Sequence, residues 1–531
     1  MKRYLAFLLT LVMIVCALPG LAETKFDIKN DYTLPVVDEP VHYTMFAEVS
    51  ASFESAKMDT YQDSEAYQEW FKRTGVYLDV ISPGLNAYQE AYNIMLASGD
   101  YPDIVNLASG VNLYEGGIDG AIKDGIYIRL NELVEQYMPN YWALINTNDE
   151  TRRQAFTAEG NLKGLMNVWI PEQHNWYGYV VRKDWLEDLG LEIPVTYDDW
   201  HEMLTRFKNE KGATAPLLLP SNGMCSAGLG ASHLANGLNT CDSFFTDEDG
   251  KVQWGPVTEG YRKYCEIMHQ WYEEGLIDQD FYGRNNNFIP ETSLTTTGIA
   301  GVWLESYLEF NNRAKQSGDP NYKVCALPDP VEKEGDKIAI WRHSGMINGP
   351  TWYITTACKD PVPFLKALDY LYTDDGYHFA QYGTLNDTYE IVDGEPRFTA
   401  KIYDNPEGIT RDGCLFKYTL KGAPTIYVYS KEKIQMTDDE YNAPDVWDTN
   451  ITDESRIYTS FATMTSEESE RYYQLFDDLD TYVKENIVNF ITGARPLSEF
   501  DDYVKQCYAM GAQELIDIKQ TALDRYMNMT F

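Results

Sequence analysis

The sequence predicts an α/β fold built around a parallel, doubly wound sheet. Strand-like and helix-like segments alternate over residues 41–107, which is the order typical of this fold class. The 531 residues are enough for two or more domains, and 44% of them are hydrophobic, so each domain can bury a core. We therefore expect a multidomain globular α/β protein.

The prediction depends mainly on the segments in the first hundred residues. VHYTMFAEVS has the composition of a strand, and a helix is predicted from Ser55 to Arg73 with Gly75 as its C-cap. VYLDVIS predicts a second strand, AYQEAYNIMLASG predicts a helix that ends at Gly99, and YPDIVNLAS predicts a third strand. Strands separated by helices in this way favour parallel pairing.

Later segments repeat these signals. YGYVVRKDWLEDLGLEIPVTYDDWHEMLTRFKNE predicts a strand, a short helix and a longer helix, for which Thr196 is the predicted N-cap. TDEDGKVQW and IVDGEPRF predict β-hairpins, since each has an Asp-Gly turn. The C-terminal segments, from TYVKENIVNFITG to QELIDIKQTALDRYM, are predicted to be helical.

Charge excludes some classes of partner. The chain has 82 Asp and Glu against 43 Lys and Arg, a formal net charge of −39. This excess repels phosphate backbones and anionic lipid head groups, so we expect no nucleic-acid partner and no membrane-surface partner. Aromatic residues make up 14% of the chain. They suit either core packing or contacts with polar, ring-shaped ligands.

The amino terminus predicts export. Lys2 and Arg3 precede an apolar run and a small-residue stretch, so residues 1–22 are predicted to be a signal peptide cleaved after Ala22. The apolar run is shorter than the ~20 residues that span a bilayer. A lipid anchor at Cys16 is the alternative, although the bulky Val15 before it disfavours lipidation. Residues 24–40 are polar and contain prolines, and we expect them to form a tether.

Searches for catalytic and metal motifs are negative. His201-Glu202 begins a zinc-protease motif, but Thr205 replaces its second histidine. The loop ending at Gly250 resembles half of an EF-hand, but Phe245 occupies the first ligand position. The seven cysteines after the leader form no CxxC pair, so neither a zinc site nor a disulfide framework is indicated. We therefore predict no cofactor and no metal. A carboxylate pair for glycoside hydrolysis stays open, because sequence gives no distance between carboxylates.

Five segments together carry a family resemblance. They are, in chain order, MLASGDYPDIVNLAS, VVRKDWLEDLGLEIPVTYDDWHEMLTRFK, EEGLIDQDFY, YGTLNDTYEIVDGEPRFT, and FITGARPLSEFDDYV with AMGAQELIDI. This set resembles the family 1 extracellular solute-binding proteins, the receptor subunits of bacterial sugar-importing ABC transporters, and in particular their large Gram-positive oligosaccharide-binding branch. Two features depart from that branch: Val15 disfavours its usual lipid anchor, and residues 383–386 replace its usual GIEG tetrapeptide.

The resemblance implies a periplasmic-binding-protein-like fold of two α/β lobes joined by a hinge. It places lobe 1 at 24–165 plus 340–385 and lobe 2 at 166–339 plus 386–531. The implied function is that of a secreted, non-catalytic, monomeric receptor that binds a carbohydrate and delivers it to ABC permease subunits. Two alternatives remain: a receptor for a peptide or another non-sugar ligand, and a secreted glycoside hydrolase.

Candidate ligand-binding residues follow predicted strands, because ligands of open α/β sheets bind beyond the carboxyl ends of strands. Glu48 and Ser50 follow the first strand, and Asn106 ends the third. Trp303 and Glu305 follow GIAG, and this order resembles the segment that carries a sugar-stacking tryptophan in maltose-type receptors.

The predicted hinge crossings supply the remaining candidates. Trp176 and Tyr177 lie at the first crossing, and Trp341, Arg342 and Trp352 lie near the second. Aromatic rings stack on the apolar faces of sugars, whereas carboxylate, amide and guanidinium groups bond their hydroxyls. The sequence thus predicts a sugar site without fixing which of these residues form it.

Overall fold

The computed structural model contains two lobes of α/β structure connected near residues 170–176, 341–346 and 428–436. The residues that it describes are 28–84, 87–107, 114, 116–170, 175–224, 233–284, 290–341, 345–392, 394–428, 436–452 and 456–530. The predicted signal peptide with Cys16, and the site candidate Arg342, lie outside the described residues.

The strands of the described residues belong to four sheets. They are β1 Val41–Ala47, β2 Val76–Ile81, β3 Ile104–Leu107, β4 Leu165–Trp169, β5 Tyr177–Arg182, β6 Phe244–Thr246, β7 Val252–Trp254, β8 Val302–Ser306, β9 Val324–Ala326, β10 Ile347–Ile354, β11 Tyr389–Val392, β12 Glu395–Phe398 and β13 Ile426–Tyr427. The largest sheet has the order β13-β4-β10-β3-β1-β2 and forms the centre of the first lobe.

The helices flank these sheets. They are α1 Ser52–Ala56, α2 Glu65–Thr74, α3 Tyr88–Ser98, α4 Gly117–Lys123, α5 Asn131–Tyr137, α6 Pro139–Ile145, α7 Asp149–Ala155, α8 Lys183–Leu189, α9 Tyr197–Glu210, α10 Glu259–Glu273, α11 Thr292–Thr296, α12 Phe310–Ser317, α13 Val362–Asp369, α14 Asp374–Tyr382, α15 Ala400–Tyr403, α16 Arg411–Tyr418, α17 Asp438–Tyr441, α18 Ala443–Trp447, α19 Ser466–Thr492, α20 Phe500–Ala509 and α21 Ala512–Met527.

The first sheet confirms the predicted parallel pairing. Strand β1 pairs in parallel with β2 and β3, and β4 pairs in parallel with β13. Strand β10 is antiparallel to both of its neighbours, β3 and β4. The C-terminal ends of β1, β3, β4 and β13 therefore meet at one edge of the sheet, where the chain crosses to the second lobe.

The single helix predicted from Ser55 to Arg73 is wrong, because the structure has two helices there. Thr60 caps a short 3-10 turn through a capping box with Asp63, and the Ser64 hydroxyl then caps α2. These side-chain bonds satisfy backbone N–H groups that a continuous helix would have used internally. Gly75 closes α2 in the left-handed conformation at φ 76°, as predicted.

Residues 28–40 are docked on the first lobe, in contrast to the predicted tether. Lys29 N donates to Asn140 Oδ1 at 2.7 Å, and the Tyr32 hydroxyl donates to Asp369 Oδ2 at 2.9 Å. The Val36 amide also donates to the Thr74 carbonyl at 2.9 Å. This segment therefore belongs to the folded lobe.

The second lobe is built on a smaller, antiparallel sheet. Strand β5 lies between β8 and β9 and is antiparallel to both. Helices α9, α10 and α19 cover it, with Trp200, Trp271 and Phe490 buried in the core between them. The sheet differs from the parallel arrangement expected from the first hundred residues, although the two-lobed α/β architecture is as predicted.

Residues 389–428 pack in the first lobe, so the lobe boundary differs from the predicted one. Tyr389, Phe398, Phe416 and Ile426 belong to the same apolar core as the first sheet. The reason is that β13 completes that sheet by pairing with β4. Among the described residues, those between 28 and 170 and between 345 and 428 form the first lobe, and those between 175 and 341 and between 436 and 530 form the second.

The capping box of α9 gives a first prediction. The Thr196 hydroxyl accepts from the Asp199 amide at 3.2 Å, and the Asp199 carboxylate accepts from the Thr196 amide at 2.8 Å. Thr196→Ala removes one of these bonds, so we expect a loss of about 1 kcal/mol in the free energy of unfolding. Urea denaturation measures it, with the exposed Glu202→Gln on the same helix as the control. An equal loss in both variants would contradict the capping role.

Candidate functional site

The site lies where parallel strands of the first sheet end and the chain crosses between lobes. Trp169 ends β4 and Tyr427 ends β13. Trp169 N donates to the Met346 carbonyl at 2.7 Å, and Ile170 N donates to the Tyr427 carbonyl at 2.9 Å. The crossing segments therefore leave the first lobe side by side, directly beyond the carboxyl ends of its strands.

Asn106 is a fully buried polar residue at this edge. It pairs with Ala47 of β1 on one side and with Trp352 of β10 on the other. The backbone carbonyl accepts from the Tyr88 hydroxyl at 3.1 Å, whereas the side-chain amide interacts with the Tyr61 hydroxyl but makes no hydrogen bond of standard geometry with the described residues. A buried amide whose hydrogen bonds are incomplete is costly, so a bound polar group could complete them here.

Glu48 follows β1 at the same edge and is half-buried. Burial raises the pKa of its carboxyl group. The carboxylate also contributes to raising the pKa of the buried Tyr61 and of Tyr88, so these two hydroxyls lie near it. Glu48, Tyr61, Tyr88 and Asn106 thus form a polar cluster at the ends of β1 and β3.

Trp169 and Tyr427 form an aromatic pair at the other end of the edge. Their ring centroids are 3.8 Å apart at an interplanar angle of 35°. Trp169 is only 8% exposed, and its indole Nε1 is buried without a hydrogen-bond partner among the described residues. An indole N–H that is buried normally finds an acceptor, and a bound polar group at this position would supply one.

Asn175 and Trp176 lie on the second-lobe side of the first crossing. Asn175 is 5% exposed, and neither of its amide atoms has a partner in the described part of the chain. The half-buried Trp176 lies against Tyr177, with ring centroids 5.2 Å apart. In the described part of the chain, buried donors and acceptors without hydrogen bonds of standard geometry are therefore present on both sides of the crossing.

Two curated relatives match most of the chain. It is 24% identical over 486 residues to the fructooligosaccharide ABC transporter substrate-binding protein FusA of Streptococcus pneumoniae, a match that covers 86% of each chain. It is 21% identical over 463 residues to the polygalacturonan/rhamnogalacturonan-binding protein YtcQ of Bacillus subtilis, covering 85% of this chain and 86% of that one. No family model matches the chain.

Solved structures match it as well. The alginate-binding protein AlgQ2 superposes with a TM-score of 0.72 at 22% identity, covering 92% of this chain and 99% of that one. A human-milk-oligosaccharide (HMO) binding solute-binding protein from Bifidobacterium longum infantis also has a TM-score of 0.72, at 16% identity over 93% of this chain and all of its own. The chain has the solute-binding-protein fold. The resemblance seen in the sequence motifs is thus confirmed.

Within this solute-binding-protein fold, Trp303 and Glu305 lie in the interior of the second lobe. Both are 0% exposed on β8. Glu305 Oε2 accepts from Trp303 Nε1 at 3.2 Å and from Arg313 Nε at 2.8 Å. Burial is the largest cause of the rise in the pKa of Glu305 to about 7, which the Arg313 charge opposes. The strand is buried along its whole length, so this placement favours a structural role over direct ligand contact.

Tyr177, Trp341 and Trp352 are also core residues. Tyr177 and Trp341 pack edge-on against the buried ring of His233, with centroids 5.3 Å and 5.4 Å away. Trp352 stacks on Phe364 at 6.0 Å and donates its indole hydrogen to the Gly422 carbonyl. Their rings are already covered by protein, so these three residues stabilise the sheet edge and the crossing and do not contact a ligand with their rings.

Ser50 has a local role at the start of α1. Its hydroxyl accepts from the Ser52 amide at 3.2 Å, and its carbonyl accepts from the Phe53 amide at 3.0 Å. The residue is half-buried and adjoins Glu48 in the chain, so it stays a candidate for ligand contact. Of the residues chosen from the sequence, the structure brings Glu48, Ser50 and Asn106 together at one edge and Trp176 to the crossing.

Sequence patterns did not predict three further residues of the candidate site, Trp169, Asn175 and Tyr427. LMNVW, which ends in Trp169, alternates too little to be recognised as a strand, and β13 has only two residues. A strand assignment for 165–169 would have placed Trp169 by the rule that selected Glu48 and Asn106.

Other features do not indicate a catalytic or metal site. No group of three or more His, Cys, Asp or Glu side chains in the described ranges is arranged to hold a metal ion. The Asp247 carboxylate accepts from the Asp249 and Lys251 amides, which makes the Asp-rich loop a hairpin turn. The six cysteines that the structure describes are buried and unbonded to one another. None of the described helices has the length and apolar composition to cross a bilayer.

Proposed function

We propose that the protein is an exported, non-catalytic receptor that binds a carbohydrate between its lobes and delivers it to the permease subunits of an ABC importer. Relatives that bind fructooligosaccharide and polygalacturonan or rhamnogalacturonan support this, as does a relative described as a lipoprotein. The ligand that fits these precedents best is an oligosaccharide, bound by one copy of the chain.

The observation that carries the proposal is the set of polar groups near the crossing that are buried without hydrogen bonds of standard geometry to the described residues. Asn106 and Asn175 each offer an amide N–H donor and a carbonyl acceptor, and Trp169 offers an indole N–H donor. A sugar hydroxyl both donates and accepts, so it satisfies groups of either kind. The adjoining ring pair of Trp169 and Tyr427 supplies an aromatic face for the apolar side of a sugar ring.

Residue roles follow from these positions. Asn106, Asn175 and Glu48 bond ligand hydroxyls, and Trp169 and Trp176 contact the apolar faces of the sugar rings. Ser50 supports the Glu48 loop and reaches the same edge. The core residues Trp303, Glu305, Tyr177, Trp341 and Trp352 hold the two lobes in shape behind the site.

Titration calorimetry with a panel of neutral and acidic oligosaccharides tests the proposal. We expect one class of glycan to bind without being cleaved, and Trp169→Ala to weaken that binding by about 2 kcal/mol, the effect of losing a central aromatic contact. Trp142→Ala is the matched control, because Trp142 is a half-buried tryptophan of the same lobe whose neighbour is Phe156, outside this edge.

Three results would contradict the proposal. If the protein bound peptides and no glycan, the proposed ligand class would be wrong, whereas the receptor role would stand. Release of a shorter product from a glycan would indicate a hydrolase. If the Trp169 and Trp142 substitutions weakened glycan binding equally, the edge of the first sheet would not be the binding site.

A further inference from the structure

The two lobes touch a second time, through segments that are separate from the crossings. Hydrogen bonds between described residues connect them here: Lys163 Nζ donates to the Phe461 carbonyl at 3.0 Å, the Ala158 amide donates to Thr463 Oγ1 at 2.9 Å, and the Tyr526 hydroxyl donates to Glu150 Oε1 at 2.8 Å. Glu150, Ala158 and Lys163 belong to the first lobe, and the other three belong to the second. We call these six residues the interlobe seam.

The backbones approach closely beside the seam. Gly116 and Gly120, at the start of α4, face Ser466, at the start of α19. A Cβ atom added to Gly120 would lie 3.3 Å from the Ser466 hydroxyl, and one added to Gly116 would lie 3.8 Å from the Ser466 Cβ. Glycine therefore lets one helix start lie directly against the other, as in a packed interface.

Lys163 is an unusual donor for such an interface. Its side chain is partly buried, and desolvation lowers the pKa of its ammonium group to about 7, although the nearby Asp119 and Glu150 oppose that shift. A desolvated ammonium group needs an acceptor, and the Phe461 carbonyl supplies one. The Phe461 ring also lies under it, with its centroid 5.4 Å from Nζ. Opening the seam would separate the ammonium group from both.

The seam is formed in the same arrangement that covers the site. The side-chain amides of Asn106 and Asn175 and the Trp169 indole nitrogen are shielded from solvent, although they make no hydrogen bonds of standard geometry with the described residues. Polar groups in an open cleft would be hydrated instead. The seam bonds are therefore present in an arrangement of the lobes in which these groups are shielded from solvent.

We propose that the interlobe seam is a latch that forms when the lobes close and stabilises the closed arrangement without touching the ligand. The inference rests on the proposed receptor function, because closure over a ligand is what the latch would regulate. A ligand that binds only the closed arrangement would then bind more tightly, since part of the cost of closing is met by the seam.

Small-angle scattering of the ligand-free, full-length protein tests the latch without any ligand. One variant fixes the seam: Ala158→Cys with Thr463→Cys, oxidised to a disulfide, at positions that already share a hydrogen bond. The other weakens it: Lys163→Met with Tyr526→Phe, which removes two of the three bonds. We expect a smaller radius of gyration for the oxidised variant than for the weakened one, and expansion of the former when it is reduced.

The controls separate a latch from a fold defect. Lys211→Met breaks a lysine–carboxylate pair with Asp188 inside the second lobe and should scatter like the unaltered protein. Tyr526→Phe alone removes a single hydroxyl, so it tests the seam even if the Lys163 substitution impairs folding, which far-ultraviolet circular dichroism would show. Identical radii for the oxidised and weakened variants would mean that the seam is a permanent contact, and would overturn the proposal. Scattering needs no sugar, so this result stands whether or not the glycan panel finds a ligand.

Discussion

Replacing Arg313 by methionine is expected to destabilise the second lobe by about 3–5 kcal/mol, because it leaves the Glu305 carboxylate buried without a counter-charge. Glu305 is 0% exposed and Arg313 is 4% exposed, so without Arg313 the buried carboxyl group must either keep its charge without a partner or bind a proton. The guanidinium also donates to Thr292 Oγ1 at 2.9 Å and to the Pro290 carbonyl at 3.0 Å, which would lose their donor as well. Urea denaturation followed by tryptophan fluorescence measures the loss.

The matched control is Arg206→Met. Arg206 forms an ion pair with Glu210 on the surface of α9, where solvent screens the two charges and the pair adds little to stability. Equal losses in the two variants would show that the Arg313 pair is no more important than a surface pair.

The pH dependence of the Arg313→Met variant gives a further test of the same pair. In the intact protein, burial already raises the pKa of Glu305 to about 7, above its unfolded value of about 4.3. Removal of Arg313 raises this pKa further, so the folded variant binds a proton that the unfolded chain releases. Stability conferred by that proton is present at low pH and is lost as the pH rises through the folded pKa. Below about pH 7 both folded forms hold this proton, so the deficit should grow as the pH rises above about 7, where only the intact protein releases it.

Trp303→Ala is expected to lower the free energy of unfolding by about 3–5 kcal/mol, the range for truncating a fully buried large aromatic side chain. The ring lies in the apolar core with Trp447 and Phe310, and its indole N–H donates a hydrogen bond to Glu305 Oε2. Denaturation curves measure the loss of stability, and glycan titrations on the same preparations show whether glycan affinity changes as well. Trp176→Ala is the comparison, since Trp176 is half-buried at the crossing and should lose more affinity and less stability.

The opposite pattern would contradict this placement. If Trp303→Ala weakened glycan binding while leaving the unfolding transition unchanged, Trp303 would contact the ligand, as the resemblance to maltose-type receptors suggested. Because the two substitutions at Arg313 and Trp303 disturb one hydrogen-bonded group, their effects should not add in the double variant.

Local features of the fold could be predicted from the sequence because neighbouring residues determine them. The capping box at Thr196 and the C-cap at Gly75 each depend on a few adjacent residues, and both are present. The parallel pairing of β1, β2 and β3 follows from alternating short segments. The family motifs added the two-lobed architecture, which the structure confirms.

The site was harder to predict because it depends on contacts between distant parts of the chain. Trp169 meets Tyr427 only because β4 pairs with β13, a two-residue strand that follows the entire inserted part of the second lobe. The same pairing moves 389–428 into the first lobe. Asn106 was chosen because it follows PDIV and lies within β3, whereas Trp303 was chosen for its motif and lies in the interior of the second lobe. A sequence motif can locate a strand, but it does not show which side chains of that strand are covered by neighbouring elements.

The late pairing of β13 with β4 has a consequence for how the protein matures. The first sheet contains strands from both sides of residues 175–341, so its edge strands, β2 and β13, emerge far apart in time during synthesis. Until residue 427 has emerged, β4 lacks a neighbour on one side and exposes unpaired backbone groups. The first lobe therefore cannot finish folding before most of the second has been made, and a chain truncated ahead of residue 426 would present an open sheet edge that invites aggregation.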